Sequence, residues 1–306
     1  MRRIWLWTTL FSTILVWGAG CKEQSGDLLQ NRTTVQAGLE EPEAQPKKAT
    51  VSVRCTVGSM EIVEMSQSRF LTEEKAQQIL QERVNRHFPP DDGPGALTLY
   101  VQYAIRRGDE EQDRFFFGAK GFLKGPGTPL PVVLEADGQK DGPVPEACME
   151  ALNSPLCAGQ IADTLAQPAF ELLVRRLSRV CALHGADEKT VSSLFGDSDP
   201  WVRGQAGMQA GEAGLASLVP ELEKLASDEA PEAALPAIGA LGRLKAKDSV
   251  QVLVNRARQA DEIITHAVAV ALSEIGSDEA RRYLETWAVS HPIASIKTLA
   301  TELLSE

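Results

Sequence analysis

The feature that most constrains this chain is a repeat of 31 residues in its last third. Gly211, Gly242 and Ser273 are spaced by that interval, and so are Ala206, Ala237 and Val268. Ala210, Leu241 and Leu272 keep the same offset, as do Pro200 and Pro231. Gly214 and Gly276 follow the first set by three residues, with Lys245 in the middle copy. A period of this size with apolar residues at helical spacing and no strand pattern predicts stacked helical hairpins. The first helices should begin near Pro200, Pro231, Glu262 and Ile293, since proline suits a first turn whose N–H has no partner anyway. Small residues there, Ala206, Gly207, Ala237, Gly239 and Ala269, let neighbouring helices approach. The second helices should bury Leu218, Leu222 and Leu225, then Val250, Leu253 and Val254, then Tyr283, Leu284 and Trp287.

The copies read DSDPWVRGQAGMQAGEAG, DEAPEAALPAIGALGRLK and ADEIITHAVAVALSEIGS. With its Asp-rich turn, Val202-Arg203 and small residues, the first resembles HEAT-like repeats of the phycobilisome-lyase type. The later copies have Ala233-Ala234 and Ile264-Thr265 in place of Val-Arg. The resemblance covers residues 187–306 and implies a helical solenoid. By that likeness the second helices line the concave side, with Glu221, Lys224, Asn255, Arg258, Arg282 and Glu285 facing a protein partner or simply solvent.

Residues 51–183 read differently, as a small α/β unit, so the fold class expected for the whole chain is α+β. Val51, Val53, Cys55 and Val57 alternate with polar residues, as in a half-buried strand. Thr72 and the acidic pair after it suit a helix start running to Phe88. Leu97, Leu99, Val101, Tyr103 and Ile105 mark a strand that pairs with a second over 114–124. A short third strand is expected over 130–134, then a Gly/Pro-rich loop from Ala136 to Pro145 and a short helix near Ala147. A long helix follows from Gln160 to Cys181, which Pro168 should kink or split. This order suits a short, mainly antiparallel sheet with helices on one face. In pattern it is similar to the N-terminal domain of TolB-like periplasmic proteins. Phe115 and Phe117 share one face of their strand with Leu123. Phe116 and Phe122 on the other face read as covered by a second layer, or else as meeting a ligand or partner. Trp201 reads as a staple between the two parts or as a binding residue.

The first 21 residues, MRRIWLWTTLFSTILVWGAGC, have two arginines, an apolar run of 14 residues from Ile4 to Trp17, and small residues before Cys21. The run is short for a membrane-spanning helix. The segment resembles the lipobox of bacterial lipoprotein precursors, departing from it in Gly18, where leucine is usual. The resemblance implies a signal peptide over 1–20 and a lipid such as palmitate on Cys21. An ordinary signal peptide and an uncleaved anchor stay open. Residues 21–50 are polar and aperiodic, a tether of about 30 Å root-mean-square span. In lipoproteins Asp after the lipidated cysteine favours the inner membrane, so Lys22 points to the outer membrane, with the body facing the periplasm. The inner membrane and the outer surface remain alternatives.

Cys55, Cys148, Cys157 and Cys181 are an even set in an exported chain, which allows disulfides in three connectivities. The pairing Cys148–Cys157 with Cys55–Cys181 is favoured, and free buried thiols are the alternative. No C-x-x-C or zinc spacing occurs.

The net charge of −11 repels nucleic-acid phosphates and anionic headgroups. Four scattered histidines, with no His-Glu dipeptide, Walker A sequence or G-x-S-x-G elbow, give no catalytic, metal or cofactor set to name. The expected role is a non-catalytic, membrane-anchored scaffold or adaptor for other envelope proteins. A ligand-binding or sensing module built on the α/β part is the alternative, and a lyase-like enzyme a third reading.

Overall fold

The computed structural model describes residues 56–66, 70–88, 96–107, 114–125, 133–151, 154–184, 186–258 and 261–305. These lie in one compact unit that begins at Ala49. The architecture is α+β: a four-stranded sheet backed by helices, continuing into a helical array.

β1 (Val57–Glu64) leads into α1 (Glu73–His87), which returns the chain to β2 (Leu97–Arg107), parallel to β1. Thr72 caps α1 by accepting from the Lys75 N–H, and Glu73 and Glu74 sit at the positive end of its dipole. β2, β3 (Arg114–Lys124) and β4 (Val133–Pro143) form an antiparallel meander, and the spatial order is β1-β2-β3-β4. The first strand therefore runs later than the 51–57 alternation suggests, and residues 51–55 lie outside the described set.

The expected loop from Ala136 to Pro145 is instead most of β4. Three of its residues on the helix side, Ala136, Gly138 and Gly142, are small where the helical segments come close, and Lys140 on the same side, opposite Phe117, is exposed. A Cβ at Gly138 would stand 2.0 Å from the Ala169 carbonyl oxygen. The alternation is small/polar rather than large/polar, so the strand is disguised by glycine and aspartate.

After α2 (Glu146–Glu150) and α3 (Pro155–Ile161), one π-helical turn (Ala162–Ala166) leads into α4 (Gln167–Leu183). Pro168 has no N–H to give the preceding turn, and the widened turn before it absorbs the break that the sequence predicts. α4 buries Phe170, Leu173, Val174 and Leu177 against the sheet. The rings of Tyr103, Phe117 and Phe170 meet with centroids 5.2–5.9 Å apart. α1 and α4 occupy one face of the sheet. Among the described residues no second layer covers the other face. Phe116 is 40% exposed there and Phe122 half-buried, which corrects the expectation of a strand covered on both sides.

The array starts with α5 (Glu188–Leu194), then alternates first helices α6 (Pro200–Glu212), α8 (Pro231–Arg243), α10 (Glu262–Ile275) and α12 (Ala294–Ser305) with second helices α7 (Val219–Ala226), α9 (Val250–Arg258) and α11 (Asp278–Ser290). First helices begin at or next to the positions that the period sets. Ala206, Gly207, Ala237 and Ala269 are buried along their seams, whereas Gly239, expected to do the same, has nothing within 4 Å of its Cβ position. A Cβ at Gly204 would stand 2.0 Å from the Glu232 carbonyl oxygen. Gly214, Lys245 and Gly276, one per copy, all have positive φ (70°, 51° and 63°), so α6, α8 and α10 each end in a left-handed turn. No helix among the described residues is long and apolar enough to cross a membrane.

Candidate functional site: the second-helix face and the junction that holds it

The second helices bury Leu222, Leu225, Val250, Leu253, Val254, Leu284 and Trp287 in a common core, joined by Leu218 from the turn before α7. The 31-residue offset then fixes which residues line up on the opposite side. Pro220, Gln251 and Arg282 form one exposed row, and Lys224, Asn255 and Thr286 a second. Ser227, Arg258 and Val289 form a third, with Val289 80% exposed. Of the six residues singled out in the sequence, Lys224, Asn255, Arg258 and Arg282 fall on these rows. Glu221 lies on the half-buried row with Val252 and Tyr283, and one of its carboxylate oxygens is buried without a hydrogen-bond partner among the described residues. Glu285 flanks the rows and pairs with Arg281 at 3.3 Å. No ion pair engages Lys224, Arg258 or Arg282 within the described residues.

Tyr283 is half-buried rather than part of the core: its ring packs on the apolar cluster, and its hydroxyl meets Gln251 at 3.0 Å from Nε2 and 3.3 Å from Oε1. Gln251 Nε2 also donates to Glu279. Glu279, Arg282, Tyr283 and Thr286 line an open depression of about 200 Å³. Sequence reading passed over Gln251, Glu279 and Thr286, although the offset that aligns Lys224 with Asn255 also points to Thr286.

The array is held against the sheet by a buried ionic junction. Asp199 is the N-cap of α6 and accepts the Trp201 N–H at 3.1 Å. Its side chain is 3% exposed, and it accepts Arg176 Nε at 2.8 Å and Nη2 at 3.1 Å. Arg176 Nη1 donates to Asp137 of β4, to Oδ1 at 3.0 Å and to the carbonyl oxygen at 3.1 Å. Burial alone would raise the Asp199 pKa. The hydrogen bonds and charge of Arg176 outweigh it and hold the carboxyl below its ordinary value. Trp201 packs on both cores, with the Arg176 guanidinium 5.1 Å from its ring centroid, so it is a staple between them. A second ladder lies within the array: Arg203 of α6 reaches Asp228 before α8 at 2.7 Å and the Asp197 carbonyl at 2.9 Å.

Cys148 and Cys157 form a disulfide that joins α2 to α3. Cys181 is also disulfide-bonded. Cys21 and Cys55 lie outside the described residues. Within the described residues no group of three or more His, Cys, Asp or Glu side chains could hold a metal.

No curated protein matches the chain. The family model of HEAT repeats matches residues 188–267, from α5 into α10, and this agrees with the stacked hairpins and their aligned rows: the array is a HEAT-like stack, a class of fold that generally mediates protein–protein contacts.

Proposed function

We propose that this protein is a lipid-anchored scaffold of the bacterial cell envelope whose HEAT-like stack docks another protein through the face formed by α7, α9 and α11. The observation that carries this reading is the set of exposed rows, with Lys224, Arg258 and Arg282 lacking ion-pair partners within the described residues on a chain of net charge −11. Arg282 and Tyr283 at the depression are residue types that anchor interfaces, because each joins a large contact area to directed hydrogen bonding. Three cations without ion-pair partners within the described residues, one on each of α7, α9 and α11, suit an acidic surface on the partner, which would speed encounter and set register more than it would raise affinity. The α/β part serves as the rigid mount, through the Asp199–Arg176 junction. The lipobox-like start supports lipidation of Cys21, release of 1–20, and a tether over 21–50 that places the body in the periplasm at the outer membrane. The favoured Cys55–Cys181 pairing would suit that oxidising compartment.

Two measurements test the reading. Metabolic palmitate labelling with membrane fractionation should mark wild type and leave Cys21→Ser unlabelled and unanchored; equal labelling of both would remove the anchor. A photo-crosslinking residue at Arg282 should yield a discrete adduct in cells that one at Gln209, on a first helix, does not. Identical adducts from both positions, or none from Arg282, would remove the docking face.

A further inference from the structure

The sheet has two edge strands, and they are protected very differently. β4 carries Glu135, Asp137, Lys140 and Asp141 and ends at Pro143. Arg176 occupies its Asp137 carbonyl, and α4 lies on its Gly138 backbone. Charge, proline and cover are the usual means by which an edge is kept from pairing with another chain. β1 carries two charges, Glu61 and Glu64, and neither lysine, arginine nor proline in its eight residues. Its one irregularity in register falls at its start, between Val57 and Ser59. Met60 and Ile62 on its helix-facing side are only half-buried, and beyond them Val63 is 49% and Met65 59% exposed.

The backbone of β1 is set to receive a further strand. The Met65 N–H donates to the Tyr103 carbonyl oxygen at 2.8 Å, toward β2. Along a strand in a parallel ladder the N–H and C=O of one residue point the same way, and successive residues alternate. Met60 and Ile62 therefore aim theirs away from β2, and among the described residues no strand takes them.

We propose that β1 is a strand-addition site for an extended segment of a partner protein. That segment would set apolar residues beside Met60 and Ile62 and a lysine or arginine beside Glu61. Main-chain hydrogen bonds would supply much of the affinity, and alternate side chains the selectivity. Glu61 is exposed on the open face and decides against a second copy of this chain as the occupant. In an antiparallel β1–β1 pair with like faces aligned, the two Glu61 side chains fall directly opposite or on the near diagonal, where like charges destabilise the pair. A basic residue in that place is attracted instead. This site is separate from the second-helix face and does not depend on it.

The test uses the full chain and a fluorescein-labelled octapeptide of alternating valine and lysine, read by fluorescence anisotropy in about 0.15 M salt, where exposed charges more than roughly 8 Å apart are screened. A glutamate-for-lysine peptide and a peptide N-methylated on alternate backbone nitrogens are the comparisons. The expected result is saturable binding of the lysine peptide, lost on N-methylation and at least about tenfold weaker for the glutamate peptide, a gap of roughly 1.4 kcal/mol. Glu61→Lys should invert the charge preference. Ile62→Pro should abolish binding, because it removes an outward N–H and leaves the β2 ladder intact. Should Ile62→Pro fail to fold by circular dichroism, Glu61→Lys decides. The proposal is overturned by equal binding of the N-methylated peptide, by an unchanged preference in Glu61→Lys, by no saturable binding, or by a dimer in sedimentation that the neutral Glu61→Gln strengthens.

Discussion

Removing the Asp199 carboxylate tests the junction most directly. Asp199→Ala deletes an N-cap, which is worth about 1 kcal/mol. It also strips two hydrogen bonds, at 2.8 and 3.1 Å, from an arginine whose side chain is 14% exposed. Breaking a buried pair from one side costs about 3–5 kcal/mol, because the remaining charge stays in a poorly solvated place. Arg176 keeps Asp137, so the lower part of that range applies, and the expected total is about 3–4 kcal/mol. Urea denaturation followed by circular dichroism at pH 7 gives the number for Asp199→Ala, for Arg176→Met and for the double variant. The double variant should cost less than the sum of the singles by about 1–3 kcal/mol, since once Asp199 is gone the arginine is itself a burden. The pH dependence has a definite sign. The Asp199 pKa is lowered in the fold, so its contribution is complete above the unfolded value of about 4 and disappears as pH falls through the folded one. Wild type and Asp199→Ala should therefore converge in stability in acid. Single losses below about 1 kcal/mol, or strictly additive singles, would refute the reasoning.

Two glycines in neighbouring first helices should respond with opposite sign to the same change. Gly204→Ala places a methyl 2.0 Å from the Glu232 carbonyl and should cost about 1–3 kcal/mol, whereas Gly239→Ala meets nothing within 4 Å and should gain roughly 0.5–1 kcal/mol of helix propensity. Paired thermal melts check this, and shifts of the same sign would mean the α6–α8 seam is looser than described. Lys245 holds the left-handed turn that glycine holds in the two flanking copies, so Lys245→Gly should stabilise by about 0.5–1 kcal/mol. A lowered urea midpoint would show that its side chain makes a contribution larger than the backbone cost.

Much of this protein can be read from the order of its residues. The 31-residue interval sets where the first helices start, because each hairpin must offer the same apolar stripe to the next. Strict alternation gives β2 and β3, since large apolar residues on one face must meet the helices above. Thr72 and Pro168 mark a helix start and a break, because capping and the missing N–H act within a few residues. Tertiary structure decided the rest. β4 is a strand through its ladder with β3, and its inner face is small because α4 lies on Gly138 and Leu165 of the π-helical turn on Gly142, a pressure that their composition conceals. Phe116 is bare because no layer among the described residues reaches it. Asp199 looks like any acidic turn residue until the fold brings Arg176, 23 positions earlier in the chain, against it. Likewise only the stacking of α9 on α11 joins Gln251 to Tyr283. Local preferences act over one turn or one pleat and so are written in the sequence, whereas burial and charge pairing depend on which distant segments come to lie side by side.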